Sequence, residues 1–464
     1  MALKSQKSKI LLVVLVLLAV PVLVYLVLRP TGFLGRAFGT PANLLVDAGS
    51  SFDVGGQTWQ NLAQGGEENA RMLDCCTTQI KALGPKYIRI DHVFDYYNTV
   101  TRGGDGKLAF NWAGLDLTIG DITASGAKPF ISLSYMPSVI SRGDINDLPK
   151  DWAEWELAVQ KLVEHVSGSG GLGLDSVYYE VWNEPDLFGK YKTFGDKSYV
   201  ELYSHSVIGA SRAGGAKAYK IGGPATTGLY ENWVKDLLEV AARSGMRVDF
   251  ISWHRYSKAL ADFEEDWLKV SKVINNYTQY KKMELIISEY GPNSENDKAY
   301  DGYFAAIHTI AVSTLLEGKV NKIFNFEIVD GPGPEKMWGR WGLLTHDKWG
   351  PPEPKPRYSA IQFLNRMSGN KVNVAGEGSW VKAMAKEKDG VIKVLIVNYD
   401  SSGNHTESVP IKFVNLPFSR FTYTRTDYSG ARNSIEVDTQ ASNTWETAEF
   451  FAANTATIIE ISPL

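Results

Sequence analysis

Residues Val177–Pro185, with the sequence VYYEVWNEP, decide the fold of this chain. The stretch begins with apolar and aromatic residues, which is typical of a buried strand in a parallel sheet. Proline cannot donate a hydrogen bond to a sheet, so the strand ends there and leaves Glu184 near its carboxyl end. A second stretch, Glu284–Pro292 (ELIISEYGP), has the same form and brings Glu289 to the end of another apolar strand. The carboxyl ends of barrel strands are where (β/α)8 barrels carry their catalytic groups.

Strand-like runs and helical patterns alternate from Asn43 onward, which predicts the α/β class and a (β/α)8 TIM barrel over residues 43–368. The predicted strands are Leu44–Ala48, Lys86–Ile90, Pro129–Ser134, the strand before Glu184, Lys220–Gly223, Asp249–Trp253, the strand carrying Glu289, and Lys322–Glu327. The predicted helices are Glu67–Leu83, Trp112–Ser125, Trp152–Val166 with Asp151 as its cap, Tyr199–Ala213, Trp233–Arg243, Asp266–Tyr280, Tyr300–Leu316 and Pro356–Met367. A doubly wound open sheet is the alternative, but no glycine-rich phosphate turn follows an early strand.

Residues 369–464 change in character, because strand patterns follow one another without helices between them. Val391–Tyr399, Phe421–Tyr428 and Thr455–Ile461 are rich in β-branched residues, and Asp389-Gly390 is a turn signal. This region is predicted to form a C-terminal β-sandwich. It serves either to stabilise the barrel or to bind carbohydrate.

The N-terminus contains one long apolar run, Ile10–Leu28, which carries no charge. As a helix it would be about 28 Å long, close to the thickness of the hydrocarbon core. We therefore expect a cytoplasmic segment (1–9), a transmembrane anchor (10–28) and a linker (29–42), with the remaining domains outside the membrane. Secretion after cleavage of a signal peptide is the alternative.

Composition excludes several classes of function. The net charge of −4 provides no basic field for nucleic acid. The two cysteines, Cys75 and Cys76, are adjacent and form no disulfide framework. The seven histidines contain no metal-binding spacing, so neither a metal nor another cofactor is expected.

Two carboxyls from two strand ends of one barrel are the catalytic groups that a glycosidase needs. One must stay protonated to assist the leaving oxygen, and the other must be ionised. Their separation distinguishes the two stereochemical outcomes, because retention requires about 5 Å whereas inversion requires about 6.5–9.5 Å to admit a water. We expect retention, with Glu184 and Glu289 as the pair. The alternative for each is a structural carboxyl.

Several motifs between Leu83 and Met367 resemble glycoside hydrolase family 39, the β-xylosidase and α-L-iduronidase family of retaining barrels. They are Tyr87-Ile88-Arg89, Lys128-Pro129-Phe130, Ser134-Tyr135-Met136-Pro137, Glu180-Val181-Trp182-Asn183-Glu184-Pro185, Asp249 to His254, Ser288-Glu289-Tyr290, Gly342-Leu343-Leu344, and Pro356 to Arg366. The resemblance implies that Glu184 is the acid/base, Glu289 the nucleophile and Asn183 the ligand of the sugar 2-hydroxyl. Tyr135, His254 and Tyr256 are likewise assigned to sugar binding.

Several other residues each have two possible roles. His254 is either near the nucleophile or a satisfied core histidine, and Tyr256 either donates to Glu289 or only packs. Asp91 and His92 either hold sugar hydroxyls or pair with Arg89 in an ion cluster. The tryptophans of the long loop after strand eight, Trp338 and Trp341, either wall the sugar site or cap the barrel.

The chain departs from the family pattern after strand two, where Asp91-His92 replaces His-Gly, and at strand eight, where Phe324 to Glu327 replaces Trp-Thr-Phe. Both places touch the sugar subsite in such barrels. The resemblance therefore implies the type of reaction more firmly than the identity of the sugar. The carbohydrate substrate is expected to be either an exopolysaccharide or a small xyloside or iduronide cut from its end. A tethered polysaccharide-binding protein without activity is the non-enzyme alternative.

Overall fold

The computed structural model describes residues 39–53 and 56–464 of the 464-residue chain. Eight parallel strands close into a barrel in which each strand pairs with the next, and the eighth pairs with the first. In order, they are Asn61–Gln64, Tyr87–Ile90, Lys128–Leu133, Val177–Val181, Tyr219–Thr226, Phe250–Tyr256, Glu284–Gly291 and Lys322–Phe326. The predicted TIM barrel is therefore confirmed.

Helices on the outside of the barrel connect most successive strands. They are Thr77–Ala82, Ala113–Ala124, Trp152–Ser167, Tyr199–Ser211, Glu231–Ser244, Leu260–Ile274, Tyr303–Leu316 and Pro356–Leu364. The cap predicted at Asp151 is present, because its carboxylate accepts a hydrogen bond from the Ala153 amide at 2.9 Å. The predicted helix Glu67–Leu83 is wrong in its first half, where only a short 3-10 turn at Asp74–Cys76 precedes Thr77.

The predicted first barrel strand is also wrong. Leu44–Phe52 is a strand, but it pairs with Asn370–Ala375 and Glu407–Val414 in the C-terminal sheet. The first barrel strand is instead Asn61–Gln64, whose four residues are all buried. The barrel therefore begins near residue 57 rather than at 43. Leu44 and Val46 face the core of the C-terminal domain, and an apolar alternation alone does not say which sheet will receive it.

The C-terminal domain is one nine-stranded sheet that folds back on itself. Its strands, in spatial order, are Arg432–Asp438, Arg420–Asp427, Thr455–Pro463, Val391–Asn398, Val381–Lys388, Asn370–Ala375, Leu44–Phe52, Glu407–Val414 and Trp445–Phe451. The Trp445 ring of the last strand packs against Phe421 and Tyr423 near the other end, at 5.5 and 5.0 Å. Two layers therefore enclose one apolar core, as predicted for a sandwich.

The barrel and the sandwich share a polar and aromatic interface. Lys386 Nζ of the sandwich lies 2.5 Å from the Glu317 carboxylate at the end of the seventh helix, and both side chains are almost fully buried. The Tyr399 hydroxyl donates to the Lys258 carbonyl at 2.6 Å. Separation of the domains would leave the charges of Lys386 and Glu317 without their partners, and loss of a partner from a buried ion pair is strongly destabilising. This ion pair therefore fixes how the two domains dock.

Among the described residues, no helix has the length and apolar character needed to cross a bilayer. The anchor predicted at residues 10–28 lies outside the part of the chain that the structure describes.

The buried His308, on the seventh helix, leads us to expect that the folded protein loses stability at acidic pH. Burial holds the pKa of its imidazole at about 3, and its Nε2 contacts the Ser257 carbonyl at 2.8 Å. Below about pH 6.5 the unfolded chain takes up a proton at this residue while the folded chain does not, so stability falls on acidification. We expect a loss of about 2 kcal/mol between pH 7.5 and 5.0 from this residue alone.

Urea unfolding of the wild type and His308→Gln at both pH values checks this expectation. Because all other groups titrate in both proteins, the difference between the two pH dependences isolates His308. The variant should lose about 2 kcal/mol less on acidification. Equal losses in the two proteins would contradict a neutral, buried His308.

Candidate active site

Glu184 reaches the mouth of the barrel through an irregular turn after the fourth strand. That strand ends at Val181, and Trp182 and Glu184 then adopt left-handed conformations with φ of 70° and 46°. Such conformations are costly for residues with side chains and persist only when the surroundings fix them. The Glu184 amide donates to the Ala225 carbonyl of the fifth strand at 2.9 Å, which fixes this turn.

Glu289 arrives from the seventh strand and faces Glu184. One oxygen of each carboxyl and one ring nitrogen of His254 lie within 4.8 Å of one another. His254 Nδ1 is 2.8 Å from Glu184 Oε1 and 3.5 Å from Glu289 Oε2. Two carboxyls at this separation fit the geometry of a retaining glycosidase, because a gap this short leaves no room for a water between sugar and base.

Arg89, in the second barrel strand, contacts Glu289 and the Asn183 side chain next to Glu184, and it is completely buried. Its three nitrogens donate to Glu180 at 2.7 Å, to Glu289 at 2.8 Å and to Asn183 at 2.8 Å. Although burial opposes its charge, Glu180 and Glu289 raise the pKa of Arg89 above its usual value. The guanidinium therefore stays cationic and joins strands two, four and seven at the site.

Glu289 receives two hydrogen bonds of the kind that an ionised carboxylate accepts. Besides Arg89, the Tyr256 hydroxyl donates to Glu289 Oε2 at 2.7 Å. Burial raises the pKa of Tyr256 well above its usual value, so its proton remains available for that bond. Burial also raises the pKa of Glu289, while the charges of His254 and Arg89 lower it and that of Glu184 raises it.

His254 lies under the carboxyl pair and not in the cleft. Its side chain is fully buried, and burial opposes its charge, but Glu289 and Glu184 raise its pKa above the usual value. The interpretation as a satisfied core histidine is wrong, because Nδ1 contacts both carboxyls while the buried Nε2 has no hydrogen-bond partner among the described residues. Its assignment to direct sugar contact does not match its position either, since the carboxyls separate it from the open space.

An open cleft of about 390 Å³ lies above the two carboxyls. Most of its wall is polar or aromatic, and it contains eight of the ten residues assigned to the site from the sequence. Its lining residues are Gly65, Gly66, Glu67, Asp91, His92, Tyr135, Asn183, Glu184, Leu187, Phe188, Tyr256, Glu289, Ser294, Glu295, Phe326, Arg340 and Trp341.

Asp91 and His92 follow the second strand and line this cleft. Burial raises the pKa of Asp91, whose side chain accepts no hydrogen bond from any residue of 39–53 or 56–464. Arg89 donates its hydrogen bonds elsewhere, so the alternative of an ion cluster with Arg89 holds only as a charge interaction, in which Asp91 helps to raise the pKa of Arg89. His92 Nδ1 is 2.7 Å from Asp95, and its ring stacks on Tyr96.

The two tryptophans of the loop after strand eight have different positions. Trp341 lines the cleft, and the Arg340 guanidinium lies 3.4 Å from its ring centroid while also pairing with Glu67. Trp338 does not line the cleft, so the expectation that it walls the sugar site is wrong. Its ring packs closely on Gly333, where a Cβ would come within 2.3 Å of it.

Glu184, His254 and Glu289 form the one cluster of metal-donor groups found among the described residues. A divalent cation there would lie next to the Arg89 guanidinium, which contacts Glu289 at 2.8 Å. Repulsion between these charges disfavours metal binding at this place.

A barrel whose open cleft contains two carboxyls with oxygens within 4.8 Å of each other fits the glycoside hydrolases. The sequence model described as Glycosyl hydrolases family 39 matches residues 56–293, which is more than half of the chain and includes both carboxyls. The chain therefore belongs to family 39 and is a glycoside hydrolase, as the sequence resemblance predicted.

Known proteins agree with this assignment. A β-xylosidase from Caldicellulosiruptor saccharolyticus is 26% identical over 368 residues, covering 72% of each chain. Among solved structures, the GH39 enzyme from Xanthomonas axonopodis pv. citri has a TM-score of 0.74 at 18% identity, over 92% of this chain and 98% of its own. A monomeric β-xylosidase from Caulobacter crescentus CB15 has a TM-score of 0.73 at 20% identity, over 91% and 100%. At these identities the structural matches show the common fold.

Arg89 is the main site residue that the sequence did not assign to the chemistry. The available signal was a charged residue inside the apolar run Tyr87–Ile90, since a buried arginine must be paired.

Arg89→Lys keeps the charge but cannot make three bonds in fixed directions. We expect kcat to fall about 100-fold with a small change in KM, because small displacements of reacting groups have costs of this size.

Steady-state kinetics and thermal unfolding of Arg89→Lys check this expectation. Arg255→Lys is the matched control, because Arg255 also forms a bidentate pair, with Asp266, but outside the cleft. A kcat within about threefold of the wild type in Arg89→Lys would contradict the positioning role.

Proposed function

We propose that the chain hydrolyses glycosidic bonds with retention of configuration, using Glu184 as acid/base and Glu289 as nucleophile. The observation that carries this proposal is the separation of at most 4.8 Å between oxygens of the two carboxyls. The different surroundings of the pair support the assignment of roles. Glu289 accepts from Arg89 and Tyr256, whereas the Glu184 carboxyl has His254 as its one hydrogen-bond partner among residues 39–53 and 56–464.

In the first step, Glu289 attacks the anomeric carbon while Glu184 gives its proton to the departing oxygen. The products are a glycosyl ester on Glu289 and a free alcohol. In the second step, Glu184 takes a proton from water, which attacks the same carbon and releases Glu289. Arg89 and Tyr256 stabilise the Glu289 carboxylate in the free enzyme and when it is regenerated.

Sugar binding is proposed for the polar residues that line the cleft. Asn183 is held in place, because its oxygen accepts from Arg89 and its nitrogen donates to the Tyr135 hydroxyl at 2.7 Å. One Asn183 N–H stays available for the sugar 2-hydroxyl. Trp341 also lines the cleft and offers a ring for stacking.

We expect Asp91→Ala to lower kcat/KM about 10- to 150-fold, the range for hydrogen bonds to a charged group. The reason is that the Asp91 carboxyl accepts no hydrogen bond within the described part of the chain and is therefore free to accept from sugar hydroxyls. Monodeoxy analogues of the substrate locate the contact, because the analogue lacking it should be insensitive to the substitution. Asp105→Ala, at an exposed carboxyl outside the cleft, is the control. Equal sensitivity of all analogues would contradict a direct contact.

The substrate proposed is a β-xyloside or a polysaccharide with related sugars. Two curated relatives, both called β-xylosidase and each 26% identical to this chain, support the first alternative. A cleft that is open at its mouth is compatible with the second. Purified protein assayed on aryl β-glycosides and a polysaccharide panel, with sizing of the products, separates end-wise from internal cleavage. Binding to a polysaccharide without turnover of any substrate would favour the alternative of an inactive tethered binder.

The location proposed is the outer side of a membrane, with residues 10–28 as the anchor. The length and composition of that run support it. Membrane fractionation of the full chain and of a chain starting at residue 39, with protease treatment of intact cells, tests the proposal. The full chain should sediment with membranes and be cut from outside. Release of a shortened chain into the medium would instead show a cleaved signal peptide.

A further inference from the structure

One wall of the cleft differs from the rest because it is apolar. Leu187 and Phe188 line the cleft although 53% and 39% of their surfaces are exposed. Both belong to the turn that follows Glu184. Exposed apolar side chains that are contiguous with a binding cleft commonly mark contact with a ligand.

The backbone holds this wall in a fixed position relative to Glu184. The Leu187 and Phe188 amides both donate to the Glu184 carbonyl, at 2.9 and 2.7 Å. The Trp182 indole donates to the Phe188 carbonyl at 2.9 Å. The Phe188 ring also meets Tyr135 edge-on, with centroids 5.7 Å apart. The two apolar side chains and the Glu184 carboxyl are therefore presented as one preorganised unit.

The role of Glu184 as general acid indicates which part of the substrate lies next to these two side chains. A general acid protonates the glycosidic oxygen, and that oxygen joins the sugar at Glu289 to the group that leaves. The turn that follows Glu184 is bonded to it and lines the same cleft, so it is a candidate for contact with the leaving group. We propose that Leu187 and Phe188 form the leaving-group subsite and bind the flat, hydroxyl-poor face of a ring, such as the C–H face of a pyranose. This inference rests on the role proposed for Glu184.

Such a subsite acts mainly in the first step, because the leaving group has departed before the second. Its contribution depends on a leaving group that contains a ring. A glycosyl fluoride has none, so fluoride release needs neither the apolar wall nor its contacts. An aromatic contact is worth a factor of about two to twelve beyond the area that it buries, so removal of the whole ring should cost about tenfold.

The test compares Phe188→Ala with the wild type on β-1,4-xylobiose and on β-D-xylosyl fluoride. We expect kcat/KM to fall about tenfold or more for the disaccharide and less than threefold for the fluoride. Phe194→Ala is the matched control, because Phe194 lies on the same connection, is 75% exposed and does not line the cleft. It should leave both rates unchanged. Thermal unfolding of each variant reports on the fold separately.

Equal effects of Phe188→Ala on both substrates, or no effect on either, would overturn the subsite. Failure of the proposed function looks different, because Glu184→Ala would then retain the wild-type rate on xylobiose. The two hypotheses are thus distinguished by different variants on the same substrates.

Discussion

Glu289→Gln is expected to abolish turnover while leaving the fold intact. Removing the nucleophile removes the covalent route, and a loss on the order of 10⁴-fold or more in kcat is typical when such a residue is replaced. Glutamine has nearly the same volume, and its oxygen can still accept from Arg89, which contacts one carboxylate oxygen at 2.8 Å. Its NH2 group can donate to the Tyr256 hydroxyl oxygen, which lies 2.7 Å from the other. The melting temperature should therefore change little. Initial rates on an aryl β-glycoside, together with thermal unfolding, check both parts.

Glu289→Gly adds a stereochemical readout. It opens space in which azide can attack the anomeric carbon from the side of the missing carboxylate, and the glycosyl azide should have inverted configuration. Glu265→Gln, an exposed carboxyl on the sixth helix and outside the cleft, is the control and should keep the wild-type rate. Retained turnover in Glu289→Gln would place the nucleophile elsewhere.

Glu184→Ala should slow hydrolysis according to the leaving group. General acid catalysis contributes about 10²- to 10⁴-fold, so poor leaving groups such as a second sugar should lose that factor. Activated aryl glycosides need little protonation and should lose much less in the first step. Azide should restore turnover of the activated substrates and give a product of retained configuration, because it attacks the intermediate on Glu289.

His254→Ala is the variant to compare with Glu184→Ala. The imidazole contacts Glu184 at 2.8 Å but does not face the cleft, so its loss should shift the pH profile without abolishing the dependence on the leaving group. The outcome that would contradict the role of Glu184 is an equal loss on all leaving groups in Glu184→Ala. Such a result would indicate a structural carboxyl.

The barrel and the two carboxyls could be predicted because they depend on local patterns. An apolar run of fixed length followed by Asn-Glu-Pro both ends a strand and positions a carboxyl. The eight-fold alternation then implied that strands four and seven open onto one mouth. Tyr256 could be placed near Glu289 for the same reason, since it ends the neighbouring sixth strand.

What could not be predicted depends on tertiary pairing. The strand Leu44–Phe52 has an alternation that suits either sheet, and only its partners some 330 residues later decide that it joins the sandwich. Arg89 was visible as a charge in an apolar strand, but its three partners come from distant positions. Trp338 and Trp341 share one loop, and only the backbone conformation decides which ring faces the cleft.

The central claim is that Glu289 carries the sugar between the two steps. A 2-deoxy-2-fluoro glycoside with a good leaving group slows both steps and traps this intermediate if the second is slowed more. Mass spectrometry of the digested protein should then find one added sugar on the peptide containing Glu289, in the wild type and not in Glu289→Gln. A protein that shows no adduct, and whose first-formed product has the opposite anomeric configuration to its substrate, would contradict the claim.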